Sequence, residues 1–218
     1  MTEPEAKTGE VKAAAAPLVA APPEPDSAEQ VKALLEAGVQ GCQVELVING
    51  NPSAQHSLRI DPAHARASAE FLRSHSELKL DYCSNVTGVD WPAPAGSPAA
   101  PGDSGYLEAV YHLYSMEKKL GPVIVRMRTG NRTDDVQLPS LTPVWRSAEF
   151  QEREIFDLYG IVFVGHPDLR RLLMWEGFVD HPMRKDYVPP PEDDPMPQFH
   201  GKPPAPAQSA NPGTGEEG

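Results

Sequence analysis

The 218-residue chain contains no apolar run of roughly 18 residues, so no segment reads as a membrane-spanning helix. Its first 26 residues have no Arg and no long apolar stretch, and they carry several acids. Neither a secretory signal nor an Arg-rich organelle presequence has that composition, so a bacterial cytoplasmic protein is expected. There are two cysteines, Cys42 and Cys83, both in apolar stretches. They read as reduced core thiols, and two thiols are too few for an all-cysteine iron–sulfur cluster. A Gly-rich phosphate loop is missing, which leaves a dinucleotide without a site here. Basic charge is also short. The net charge is -12 and the pI about 5.0, which argues against a broad nucleic-acid surface.

Proline, by contrast, is plentiful and clustered. Of the 25 prolines, five lie in residues 1–25, four in 92–101 and nine in 189–218. Such Pro/Ala/Gly/Ser-rich stretches bury too little apolar surface to offset chain entropy. Residues 1–26 are expected to be a disordered tail, 92–101 an inserted loop, and 188–218 an extended or disordered tail. Both tails are acidic. No internal repeat is visible.

Between the tails the periodicity alternates. Ser27 can cap a helix through AEQVKALLEAG, with Val31, Leu34 and Leu35 on one face and Gly38 in the C-terminal turn. CQVELVING and HSLRI read as strands joined by the turn NGNP. Asp61 followed by Pro62 starts a second helix that runs through AHARASAEFLRSH. LKLDYCSNVTGVDW, YLEAVYHLYSM and PVIVRMRT read as three further strands. The order α-β-β-α-β-β-β predicts a two-layer α+β domain over residues 27–139, a mixed β-sheet with helices on one face. A motif helix and an extended, partner-binding segment follow over 140–187.

In that second part, Ser147 can cap a helix from Ala148 to about Tyr159, with Ala148, Ile155 and Tyr159 facing the body. Gly160 suits a left-handed C-terminal position, with Ile161 as its apolar contact. Regular periodicity then stops. GHPDLRRLLM and DHPMRKDY each set a His-Pro before a basic pair, Arg170–Arg171 and Arg184–Lys185. Large apolar residues such as Leu169, Leu172, Leu173 and Trp175 lie among them. Apolar side chains beside arginines on irregular backbone suit a partner-facing segment.

These residues carry a family resemblance. The run EREIFDLYGIVFVGHPDLRRLLM, with the closing HPMRKDY element, resembles the signature of the C-type subunit of respiratory complex I, the NADH–quinone oxidoreductase. The matching positions are Glu152, Arg153, Glu154, Asp157, Leu158, Tyr159, Gly165, His166, Pro167, Leu169, Arg170, Arg171, His181, Pro182, Met183, Arg184, Lys185, Asp186 and Tyr187, and Leu173 is a further candidate interface residue inside the run. The resemblance implies a peripheral-arm subunit without a cofactor or catalytic residue of its own, on the cytoplasmic side of the bacterial membrane. It would pack against the quinone-site (D type) and cluster-bearing (B type) subunits. The assembled enzyme would use FMN, iron–sulfur clusters and quinone, and would pump protons. The equivalent subunit of a membrane-bound hydrogenase or a ferredoxin-linked quinone reductase fits the same module.

Blander readings compete at each residue. Glu152, Glu154 and Asp157 could form a metal or acid–base site, with Glu154 and Asp157 meeting at i, i+3. The nearest later histidine lies beyond a glycine break, so a salt-bridge cluster centred on Arg153 is expected instead. His166 and His181 are expected to fix turns through side-chain hydrogen bonds rather than relay protons. For the basic pairs, carboxylates on a neighbouring subunit are expected in preference to lipid or nucleic acid. A free-standing enzyme would require turnover by the isolated chain, and none is expected.

Overall fold

The fold described below is a computed structural model. It describes residues 25–51, 55–93, 105–134 and 136–189. Most of both proline-rich tails and of the loop expected at 92–101 lie outside those residues. The chain divides after Tyr187, and every element named below belongs to the unit Met1–Tyr187.

Helix α1 (Pro25–Gly38) buries Val31 and Leu35, as the apolar stripe requires. Ser27, the expected cap, lies outside the residues whose side chains are described. Gly38 stays helical, and its role is close packing. A Cβ there would meet the Phe71 ring at 2.1 Å, whereas the positive φ of this turn falls on Gly41. Strands β1 (Val44–Val47) and β2 (Ser57–Ile60) pair antiparallel, but the connection is longer than the expected NGNP turn. Ile48 therefore leaves the alternating pattern and is exposed. Asp61 then accepts a hydrogen bond from the Ala63 N–H and starts a 3-10 turn, Pro62–His64, which leads into α2 (Ala65–Ser74).

Strands β3 (Tyr82–Pro92), β4 (Gly105–Ser115) and β5 (Leu120–Arg128) complete a five-stranded sheet ordered β1-β2-β5-β4-β3. Its β2–β5 pair is parallel and the other pairs are antiparallel, so the sheet is mixed. Alternation puts Leu58, Val125, Leu107, Tyr111, Leu113, Cys83 and Val86 on the face that shares the core with α1 and α2. Each fully buried side chain of this kind contributes about 1.5–3 kcal/mol.

A second sheet escaped the periodicity. β6 (Gln137–Pro139) and β7 (Val162–Val164) pair in parallel and bracket α3 (Ala148–Tyr159). The boundary placed at 139/140 therefore falls inside a joined β6-α3-β7 unit, and β7 lies where regular periodicity was expected to stop. The limits of α3 match the reading, and Gly160 is left-handed at φ 79°. Its expected cap does not form: the Ser147 hydroxyl donates 2.8 Å to the Cys83 carbonyl instead. A bulge between Cys83 and Asn85 opens that edge of β3, where the Val86 N–H also donates 2.6 Å to Gln151 Oε1.

Gly88 lets α3 seat on β3, because a Cβ there would lie 2.6 Å from the Tyr159 ring. Gly88→Ala is expected to lower stability by about 1–3 kcal/mol through overpacking, read as a drop in the urea midpoint. In a Tyr159→Ala background the same change should cost clearly less, because the clash is gone.

Candidate interaction site on the motif helix

Three buried carboxylates root the motif region, and each uses different chemistry. Glu152, fully buried on α3, forms no salt bridge among the described residues. Its carboxylate accepts from the Tyr111 hydroxyl (3.0 Å), the Ser140 hydroxyl (2.5 Å), the Leu141 N–H (2.8 Å) and the Thr142 hydroxyl (3.2 Å). Burial pushes its pKa above the usual 4.5, against the pull of these donors. Burial and Glu152 likewise push the nearby Cys83 thiol up to about 12, so it is an inert core thiol.

Asp157 holds the strap, residues 165–187. Its Oδ2 accepts from the N–H groups of Leu172, Leu173 and Met174 at 3.0, 2.6 and 2.8 Å, and its Oδ1 pairs with Arg171 at 2.8 Å. Burial works to raise its pKa, but the Met174 and Leu173 N–H groups, Arg171 and Leu172 outweigh it and hold the carboxyl below 3.8. The Asp157 carbonyl accepts from His181 Nδ1 at 3.1 Å. His166 bonds the Glu149 carbonyl through Nε2 at 2.9 Å and takes the Asp168 N–H on Nδ1 at 3.0 Å. Both imidazoles therefore fix backbone. Arg153 is buried and donates to the carbonyls of Arg170 and Arg171, with Asp168 at 3.7 Å.

Asp90 anchors the far end. Arg132 grips it with two bonds of 2.6 and 2.7 Å and reaches Asp186 at 2.9 Å. The Lys185 N–H adds a bond of 2.8 Å to Asp90, and Arg184 donates to the carbonyls of Tyr159 and Arg132. The hydrogen bonds to Asp90 and Asp186 raise the Arg132 pKa.

The expected mutual cluster on α3 does not form. Glu152 points to the sheet, Asp157 to the strap and Glu154 to solvent, so Glu154 and Asp157 do not meet. Arg171 finds its carboxylate within its own chain, and Arg184 finds carbonyls. Arg170 pairs with the neighbouring Asp168 and stays exposed, and Lys185 is exposed too, over the Trp91 ring. Leu169 packs against the core, while Leu173 is 59% exposed, Val179 82% and Met183 53%. The spacing missed Asp90, Arg132, Tyr111, Ser140 and Thr142. One signal was present: Asp90 follows Val86 and Gly88 on the inward face of β3, where an acid must have a buried partner. Among the described residues, no His/Cys/Asp/Glu group is arranged to hold a metal ion, and no helix is long and apolar enough to cross a membrane.

Residues 58–193, which include α3 and the whole strap, match the family model described as "Respiratory-chain NADH dehydrogenase, 30 Kd subunit". The chain belongs to this family. Among relatives of this 30 kDa subunit, a Xanthobacter autotrophicus protein named as the C subunit of NADH-quinone oxidoreductase is 39% identical over 163 residues, 74% of this chain and 68% of that one. A Bacteroides fragilis protein named as the C/D subunit of NADH-quinone oxidoreductase is 42% identical over 120 residues, 55% of this chain. The matched part spans only 22% of that longer relative. A chain of the membrane-bound sulfane sulfur reductase, an archaeal respiratory membrane complex, shares the fold at TM-score 0.50 and 22% identity. That match covers 75% of this chain and 86% of that one.

The Asp157 pKa gives a pH test. A carboxyl held below its usual value stabilises the fold fully above pH 3.8, and that contribution is lost as pH falls through the lowered value. Wild type should therefore exceed Asp157→Asn in unfolding free energy at pH 7, and the gap should shrink below pH 3.8, as measured by denaturant titration at each pH.

Proposed function

We propose that the chain is a cofactor-free structural subunit in the peripheral arm of a proton-translocating NADH–quinone oxidoreductase. It supports the quinone-site (D type) and iron–sulfur (B type) subunits at the cytoplasmic face of a bacterial membrane while electrons pass from NADH to quinone. The observation that carries this reading is the split character of the strap. Arg171 and Arg184 close on the chain's own carboxylate and carbonyls, while Leu172, Leu173, Val179 and Met183 are held outward. Exposed apolar side chains on a fixed backbone are suited to contact and offer no chemistry of their own. The name C/D carried by the Bacteroides relative supports a D-type neighbour. The chain itself contributes no flavin, cluster or quinone site in this proposal, and it binds no nucleic acid.

The fold shared with the sulfane sulfur reductase chain supports a second reading: the equivalent subunit of a related hydrogenase or ferredoxin-linked reductase. Genes for NADH-binding flavin subunits beside this one favour the first reading, and a nickel-site large subunit favours the second.

Mass spectrometry of the purified native membrane complex should find this chain with its B and D type partners, and its absence overturns the proposal. Asp157→Ala should reduce the assembled arm at least severalfold, since a loss of about 1–2 kcal/mol already changes abundance by that much. Quinone reduction per assembled complex should stay unchanged. Normal assembly with lost turnover would instead make Asp157 a functional residue rather than an architectural one.

A further inference from the structure

The sheet face turned away from the core has a character of its own. Cross-strand register places Glu45, Arg59, Arg126, Arg128 and Glu108 there, around Val110 and Ile124. Val110 and Ile124 are 4% and 7% exposed, yet neither belongs to the main core. Arg59 and Arg126 are direct neighbours across the parallel β2–β5 pair, an arrangement that like charges disfavour. Each leans on an acid: Arg59 on Glu45, and Arg126 on Glu108 at 3.2 Å. Arg128 forms no salt bridge among the described residues and stacks 3.5 Å from the Tyr106 ring centre. Three guanidiniums thus face two carboxylates, in a chain whose net charge is -12. At the rim, Trp91 is 40% exposed and donates 2.8 Å to Glu108.

A second observation falls on the same face. Among the described residues, the buried side-chain polar atoms without a hydrogen-bond partner are His112 Nδ1 and Arg126 Nε. His112 lies on this face, paired with Ile124. Burial and Arg126 push its pKa down, so it adds no positive charge at neutral pH. Arg126 Nε is enclosed and out of a partner's reach, while the rest of the Arg126 side chain stays 28% exposed for contact. Arginine, tryptophan and tyrosine over an apolar floor are the residues that dominate the centres of protein interfaces.

We infer that this face is a protein-docking surface for a carboxylate-bearing segment of another polypeptide, laid across β2, β5 and β4 with its acids against Arg59, Arg126 and Arg128. The one excess cation, Arg128, favours an acidic occupant. The interspersed Glu45 and Glu108 disfavour a phosphate backbone, which needs unbroken basic surface. This inference rests on the reading that the chain works inside an assembly, and it adds a contact on the side opposite the motif helix.

Site-specific photo-crosslinking in the native complex tests it. p-Benzoylphenylalanine is placed at Thr87 or Glu45, both exposed on this face, and separately at Leu173 on the strap. Crosslinks from Thr87 or Glu45 to an acidic peptide of another chain are expected. Their yield should fall about tenfold when Arg59→Glu and Arg128→Glu are combined, since each reversal turns attraction into repulsion. Crosslinks to this chain's own peptides, to lipid or to nucleic acid overturn the inference. So does a yield indifferent to the charge reversals, or the absence of any product from this face. Products from Leu173 alone would sink the docking surface and leave the reading as an assembly component standing. Silence at all three positions would count against both.

Discussion

Asp157 sits in the last turn of α3, where the helix dipole is already negative and an ionised carboxylate is poorly placed. It is also fully buried. Three backbone N–H groups and Arg171, all supplied by the strap, make its charge tolerable. The dependence is reciprocal. The strap carries almost no regular structure, so its backbone donors need acceptors from elsewhere, and Asp157 serves three consecutive ones. Removing one member of such a buried pair strands the other, a loss on the order of 3–5 kcal/mol. Helix and strap therefore stand or fall together.

The other two buried acids extend that logic. Glu152 ties α3 to β4 through Tyr111 and to the loop after β6 through Ser140, Leu141 and Thr142. Asp90 ties β3 through Arg132 and the Lys185 N–H to the end of the strap. Sheet, helix and strap are linked in series by carboxylates, each saturated by donors of the same chain. Among what remains outward are Leu172, Leu173, Val179 and Met183. Since the backbone beneath Leu172 and Leu173 is already fixed, a partner covering them has little ordering entropy left to overcome. That suits a family whose relatives are named as subunits of a larger enzyme.

Much of the fold was legible because its signals are local. The Asp61–Pro62 start, the limits of α3 and the left-handed Gly160 follow from residue chemistry within a few positions. The strands of the main sheet follow from alternation. The misses are of another kind. β6 and β7 have three residues each and find one another across an intervening helix, too short for a period to register. Ser147 has the right chemistry for a cap, but a β3 carbonyl competes for its hydroxyl. Glu152, Glu154 and Asp157 look alike in sequence and diverge because a helix turns each toward different surroundings. Arg132 meets Asp90 from 42 positions away, a separation no spacing rule covers.

Four arginines share one habit: they donate to main-chain carbonyls. Arg73 reaches Val144, Arg153 reaches Arg170 and Arg171, Arg171 reaches Asp157 and Asp180, and Arg184 reaches Tyr159 and Arg132. Every amino acid supplies a carbonyl, so the accepting positions can drift in side-chain identity over generations without losing the bond. The donors have no such latitude, because lysine offers a point charge where a planar fork is needed. Evolutionary freedom is thus distributed unevenly, wide at Val144 and Asp180 and narrow at the guanidinium that reaches each of them.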